Sequence, residues 1–136
     1  MKQQISSRRI LLLGFEKAVY AKLAEILARQ SHSVWPQPGG AGRRSLQTSL
    51  QLIEESAADV VCCPADTAHY PLLVNEVKKR ELRVPVVVVS DSPNLSEWLD
   101  AIQAGAWDYF GAPFEAAHIR HVIDNAVQCA TPVHSH

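Results

Sequence analysis

The sequence carries no excess of either charge: thirteen Lys and Arg stand against fourteen Asp and Glu, a formal net charge of -1. Without a strong field, direct binding to nucleic acid or to an anionic membrane loses its simplest driving force. Long apolar runs are missing as well. The stretch Ile10 to Leu13 is broken by Glu16 and Lys17 before it reaches the length of a secretory core, and nothing approaches the ~18 apolar residues of a membrane helix. Cysteine is scarce. Cys62, Cys63 and Cys129 cannot all pair, and no CxxC spacing occurs, which points to a reducing compartment. A soluble, cytoplasmic chain is expected. A GxGxxG fingerprint is also absent, and with it the usual dinucleotide site.

What is present suits one globular unit, because 136 residues with 47% hydrophobic content can fill a single core without a disulfide or a structural metal. The expected domain runs over 9–129, with an N-terminal extension at 1–8 and a tail at 130–136. Short apolar runs read as strands buried on both faces: Arg9 to Gly14, Ser33 to Trp35, Asp59 to Cys63 closed by Pro64, Val84 to Ser90, and Ala106 to Phe110. Between them the apolar period changes to that of helices. Those helices cover Glu16 to Gln30, Ser45 to Glu55, Tyr70 to Arg80, Asn94 to Ala104, and Glu115 to Gln128. Pro36 to Gly42 concentrates proline and glycine and reads as a surface loop.

Five strands alternating with five helices predict a doubly wound α/β fold, a parallel sheet with helices on both faces. In such sheets function gathers at the carboxyl ends of the strands. The informative positions are therefore Gly14 to Lys17, Pro64 to Thr67, Ser90 to Ser92 and Gly111 to Phe114.

The order of elements, with the strings VPVVVVS, AIQAGAWDYF and GAPF, resembles the receiver domain of two-component response regulators over roughly Arg9 to Val127. The resemblance implies a flavodoxin-like three-layer sandwich with strand order 2-1-3-4-5. It also implies phosphoryl transfer from a histidine kinase to an aspartate, with magnesium held by neighbouring carboxylates. Such a site needs a carboxylate nucleophile, further oxygen ligands and a lysine. This sequence departs from the pattern at nearly every place. Gly14 and Phe15 stand where the family has an acidic pair, leaving only Glu16; Pro64 stands at the phosphorylated position; Ala112 replaces the lysine before Pro113.

A register slip of one does not repair the site, since Cys63 and Ala65 are not carboxylates. Asp66 is the nearest acid, displaced by ~6–7 Å along an extended chain, which is too far for in-line transfer. Ser90 does match the family's hydroxyl at the end of the fourth strand, and Tyr109 matches its switching aromatic. The resemblance also implies a cis Ala112–Pro113 bond. The expectation is a degenerate receiver: not an enzyme, without cofactor or metal, acting through a protein partner or a homodimer. The fourth helix, fifth strand and fifth helix form the expected contact surface, with Trp98, Trp107 and Tyr109 as a recognition cluster. A histidine kinase, or an output domain fused in the natural chain, belongs to the same expectation, whereas nucleic acid and membrane are not expected partners.

Two alternatives stay open: a flavodoxin-like protein that binds a small molecule or anion, and a receiver phosphorylated at Asp66. For the first, Gly39, Gly40 and Gly42 precede a helix with Arg43 and Arg44 nearby, where an anion could meet the first turn. His118 and His121 lie three apart on one helix without a third ligand at a defined spacing, and read as solvated. Asp66 and His69 suggest an acid–base pair that lacks a nucleophile. Cys62 and Cys63, on a doubly covered strand, read as core residues with raised thiol pKa.

Overall fold

The short apolar runs form strands and the longer amphipathic segments form helices, in strict alternation. The computed structural model describes residues 8–35, 45–65 and 69–130, apart from the side chains of 69, 129 and 130. Along the chain come β1 (Arg9–Leu12), α1 (Lys17–Arg29), β2 (Ser33–Trp35), α2 (Leu46–Ser56), β3 (Val60–Pro64), α3 (His69–Lys79), β4 (Val86–Ser90), α4 (Leu95–Ala104), β5 (Asp108–Gly111) and α5 (Ala116–Ala130). All neighbouring strands pair in parallel, in the order β2-β1-β3-β4-β5. The expected sheet is therefore the observed one.

Alternation along each strand divides the core in two. Ile10, Leu12, Val60, Cys62, Val87, Val89 and Phe110 pack with Leu23 and Leu27 of α1 and with Ile119, Val122 and Ile123 of α5. Their sequence neighbours Leu11, Val61, Cys63, Val86 and Val88 face the other way, against α2, α3 and α4. Both faces are covered, so the valines of β4 are all buried, each contributing roughly 1.5–3 kcal/mol. Adjacent Cys62 and Cys63 thus sit on opposite faces, free and buried. Burial pushes the Cys62 thiol up to about 12 and Cys63 further in the same direction.

Against the expectation, β1 ends at Leu12 rather than Gly14, β3 starts at Val60 rather than Asp59 and β5 ends at Gly111 rather than Phe110, and three further limits turn on a backbone N–H. Pro64 is the last residue of β3 rather than the first beyond it, pairing with Val89. Its missing N–H falls on the β1 side, like that of Cys62 two residues earlier, and β1 has already ended at Leu12. β4 starts at Val86 because Pro85 has no N–H for the ladder, although its carbonyl accepts from Val61. β5 starts at Asp108, since the Ala106 N–H is used to close α4 on the Ala101 carbonyl. Trp107 consequently stands at the corner before the strand. No described helix is long and apolar enough to cross a membrane.

Candidate functional site

The loops leaving β1, β3, β4 and β5 meet at the carboxyl edge of the sheet. Leu13 gives its N–H to the Cys62 carbonyl at 2.9 Å, and Gly14 then turns with a φ of 86°, a left-handed conformation open to glycine. The turn buries Phe15 in the core and leaves Glu16 exposed as the N-cap residue of α1, with no side-chain capping bond. Pro64 stands against Gly14: a Cβ at residue 14 would lie 3.5 Å from Pro64 Cδ. On the next strands, the buried Ser90 accepts at its carbonyl from the Ala112 N–H at 3.0 Å. The Ala112–Pro113 peptide is cis.

Gly14, Phe15, Glu16, Pro64, Ser90 and Ala112 are thus brought to one edge. The described acids there are Glu16 and Asp91, both exposed, and Glu97, whose carboxylate is bonded to Ser90. A magnesium ion needs an octahedron of oxygens in which carboxylates are joined by phosphate oxygens and water. Among the described residues this edge offers it a proline ring at the end of β3 and a buried phenylalanine after β1, so the described donor set does not fit. Asp66, like the loop with Gly39, Gly40, Gly42, Arg43 and Arg44, lies outside the described residues, as does the His69 side chain. Among the described residues no three of His, Cys, Asp and Glu gather where they could share a metal ion. His118 and His121 turn to different neighbours, His118 edge-on to the Phe110 ring with centroids 6.1 Å apart, and His121 to Asn125 at 3.2 Å.

A connected polar cluster lies beside this edge. Ser90 Oγ donates to Glu97 Oε1 at 2.6 Å and accepts from the Ser92 N–H at 3.0 Å. The Tyr109 hydroxyl donates to the same Glu97 oxygen at 2.7 Å and accepts from the Asn94 N–H at 3.2 Å. Each hydroxyl is used as donor and acceptor. Burial and the Glu97 hydrogen bond hold the Tyr109 phenol above its ordinary value of 10.0. Gly111 lets the loop close over this group, since a Cβ there would come within 2.7 Å of both Pro93 Cγ and the Ser90 carbonyl.

α4 is fastened at this end and otherwise lies shallow on the sheet, with Ala101 its one buried residue. Leu95, Trp98, Leu99 and Ile102, at i, i+3, i+4 and i+7, form an apolar stripe that is 70%, 41%, 44% and 41% exposed, and Trp107 at the adjoining corner is 41% exposed. Among the described residues no ring contact joins Trp98, Trp107 and Tyr109. Tyr109 packs inward with the α2, α3 and α4 layer. The expected aromatic cluster is therefore two outward tryptophans and one inward tyrosine.

No protein-family model matches the chain. No curated protein matches it either. Solved structures do. The chain is similar to NtrX from Brucella abortus, solved in complex with ADP, with a TM-score of 0.76 at 24% identity over 92% of this chain and 27% of that one. It spans about a quarter of that protein. A putative response regulator from Chloroflexus aurantiacus gives a TM-score of 0.75 at 20% identity, over 90% of this chain and 99% of that chain. The beryllofluoride-activated NtrC4 receiver domain dimer gives 0.72 at 17% identity, over 90% and 98%. The chain has the fold of a response regulator receiver domain.

Within this receiver fold, Glu97 is the site residue that sequence reasoning missed. A signal was there: Asn94 and Glu97 stand at capping-box spacing, in which the glutamate reaches back to the cap's own N–H. Here Asn94 Oδ1 accepts from the Glu97 N–H at 2.9 Å as expected of a cap. The return bond is relayed. The Asn94 N–H goes to the Tyr109 hydroxyl, and that hydroxyl goes to Glu97.

Proposed function

We propose that the chain is a receiver-type signalling module that works by protein contact, without phosphoryl transfer, and is not an enzyme. The observation that carries this reading is Pro64. A ring with no nucleophilic oxygen ends β3 against Gly14, where the receiver resemblance calls for a carboxylate. The neighbouring positions point the same way: Ala112 offers no cation, and Phe15 is buried in the core. In-line transfer requires its nucleophile within near-attack distance, and none of these residues supplies one.

The output surface in this reading is α4 with the corner before β5, where Trp98 and Trp107 are exposed. Tyr109, bound to Glu97, sets the position of α4 from beneath. One structural neighbour is itself a receiver domain dimer, which supports contact through this fold. The test is incubation of the full chain with magnesium and acetyl phosphate, followed by intact mass measurement. The mass stays unchanged on this reading; a stoichiometric phosphate adduct overturns it, and mapping that adduct to Asp66 would establish the displaced acceptor.

A further inference from the structure

We infer that the exposed face of α4 receives an amphipathic helix whose flanks are rich in Lys and Arg. The inference rests on the contact reading above and adds the chemistry of the partner. Its first support is the stripe itself. Leu95, Trp98, Leu99 and Ile102 repeat at the spacing by which one helix packs along another, and all four face solvent.

Charge supplies the second support. From Val84 to Ile119, the span that holds β4, α4, β5 and the first turn of α5, there is no Lys or Arg, while Asp91, Glu97, Asp100, Asp108 and Glu115 all fall within it. The rest of the chain holds all thirteen bases against nine acids, so charge is segregated along the sequence although the net charge is small. Glu97 directs its carboxylate to Ser90 and Tyr109. Asp91, Asp100 and Glu115 are exposed, and Asp100 lies on the α3 side of the stripe, where its charge helps to raise the Tyr70 pKa.

A second copy docked symmetrically on this face would set acid against acid around the apolar seam. That arrangement lowers affinity and slows encounter. A helix with an apolar seam and basic flanks satisfies both features at once. Lys78 and Arg83 border Trp107 in a cavity of about 280 Å³ at the far end of α4, so the second copy is the occupant the test must separate.

The experiment adds two fluorescently labelled synthetic peptides to the full chain and follows anisotropy. Both carry one leucine seam at i, i+3, i+4 and i+7; one is flanked by Lys and Arg, the other by Glu and Gln. The basic peptide is expected to bind at least about ten-fold tighter, with the difference shrinking as salt shortens the Debye length. Trp98→Ala and Leu99→Ala, at exposed positions, should each weaken binding several-fold, with circular dichroism confirming an intact fold. Equal binding of both peptides, or binding indifferent to these substitutions, overturns the inference. A dimer in sedimentation that Trp98→Ala breaks, with neither peptide bound, also overturns it and leaves the contact reading standing. A monomer that binds neither peptide overturns both.

Discussion

Ser90, at the end of β4, and Tyr109, on β5, donate to one and the same oxygen, Glu97 Oε1, at 2.6 and 2.7 Å. Through that atom two strands and a helix are joined. α4 buries only Ala101 otherwise, so hydrophobic packing contributes little to its position, and these hydrogen bonds to an acidic side chain contribute much. Bonds of that type are worth roughly 1.5–3 kcal/mol each when partly buried. The orientation of the exposed α4 stripe thus depends on one glutamate.

Glu97→Ala, which removes both bonds, should lower stability by about 3 kcal/mol or more, and Tyr109→Phe, which removes one and also strands the Asn94 N–H, by about 2 kcal/mol. Because both variants break the same bond, the double variant should lose clearly less than the sum. Urea denaturation of the four proteins measures this. Strict additivity would show that the two groups are not coupled. Glu97→Gln should fall between, because the amide oxygen still accepts from both hydroxyls.

The layer arrangement was legible from periodicity, because β1, β3 and β4 are short apolar runs and the parallel sheet leaves its helices few places to go. Strand ends were less legible. They depend on which N–H groups are available: that of Ala106 is already used to close α4, and Pro85 and Pro64 have none to give. At the candidate site the substitutions Pro64 and Ala112 could be read by position. The role of Glu97 could not, since it depends on Tyr109, twelve residues on, entering the capping geometry from another strand. The outward turn of Leu95, Leu99 and Ile102 was hidden for a related reason. Helical period marks an apolar stripe and does not say whether the sheet or the solvent receives it.

Cys62 and Cys63 should be unreactive in the folded protein. Burial raises both thiols far above neutral pH, and the thiolate is the nucleophile. In a Cys129→Ser background, Ellman's reagent should release almost no colour from native protein and two thiols' worth in guanidinium chloride. Rapid reaction under native conditions would mean that β3 opens locally.

Ala57 ends α2 in the left-handed region, at φ 52° and ψ 45°. A Cβ there costs roughly 1–2 kcal/mol, which glycine avoids. Part of that gain is offset by the greater freedom of glycine in the unfolded chain. Ala57→Gly should therefore stabilise by about 0.5–1 kcal/mol, read as a higher denaturant midpoint at unchanged slope. A lower midpoint would show that the exposed methyl group makes a contact worth more than the strain.

His32 gives the protein a pH dependence of definite sign. Its ring is buried, and Nδ1 accepts from the Arg8 N–H at 3.1 Å. Burial lowers its pKa below 6.5; Arg8 and Arg120 push it further down, while Asp124 and Asp59 pull it back. Between the lowered native value and 6.5 the unfolded chain binds more protons, so stability that is fully present above pH 6.5 is lost as the pH falls toward the native value. A glutamine at this position can still accept from Arg8 and does not titrate. The stability difference between the parent and His32→Gln should accordingly shrink, or reverse, between about pH 7.5 and about pH 5.5. The exposed His118 and His121 are common to both proteins and drop out of the difference. If the gap between the two urea midpoints stayed constant across that range, His32 would not be the group that titrates there.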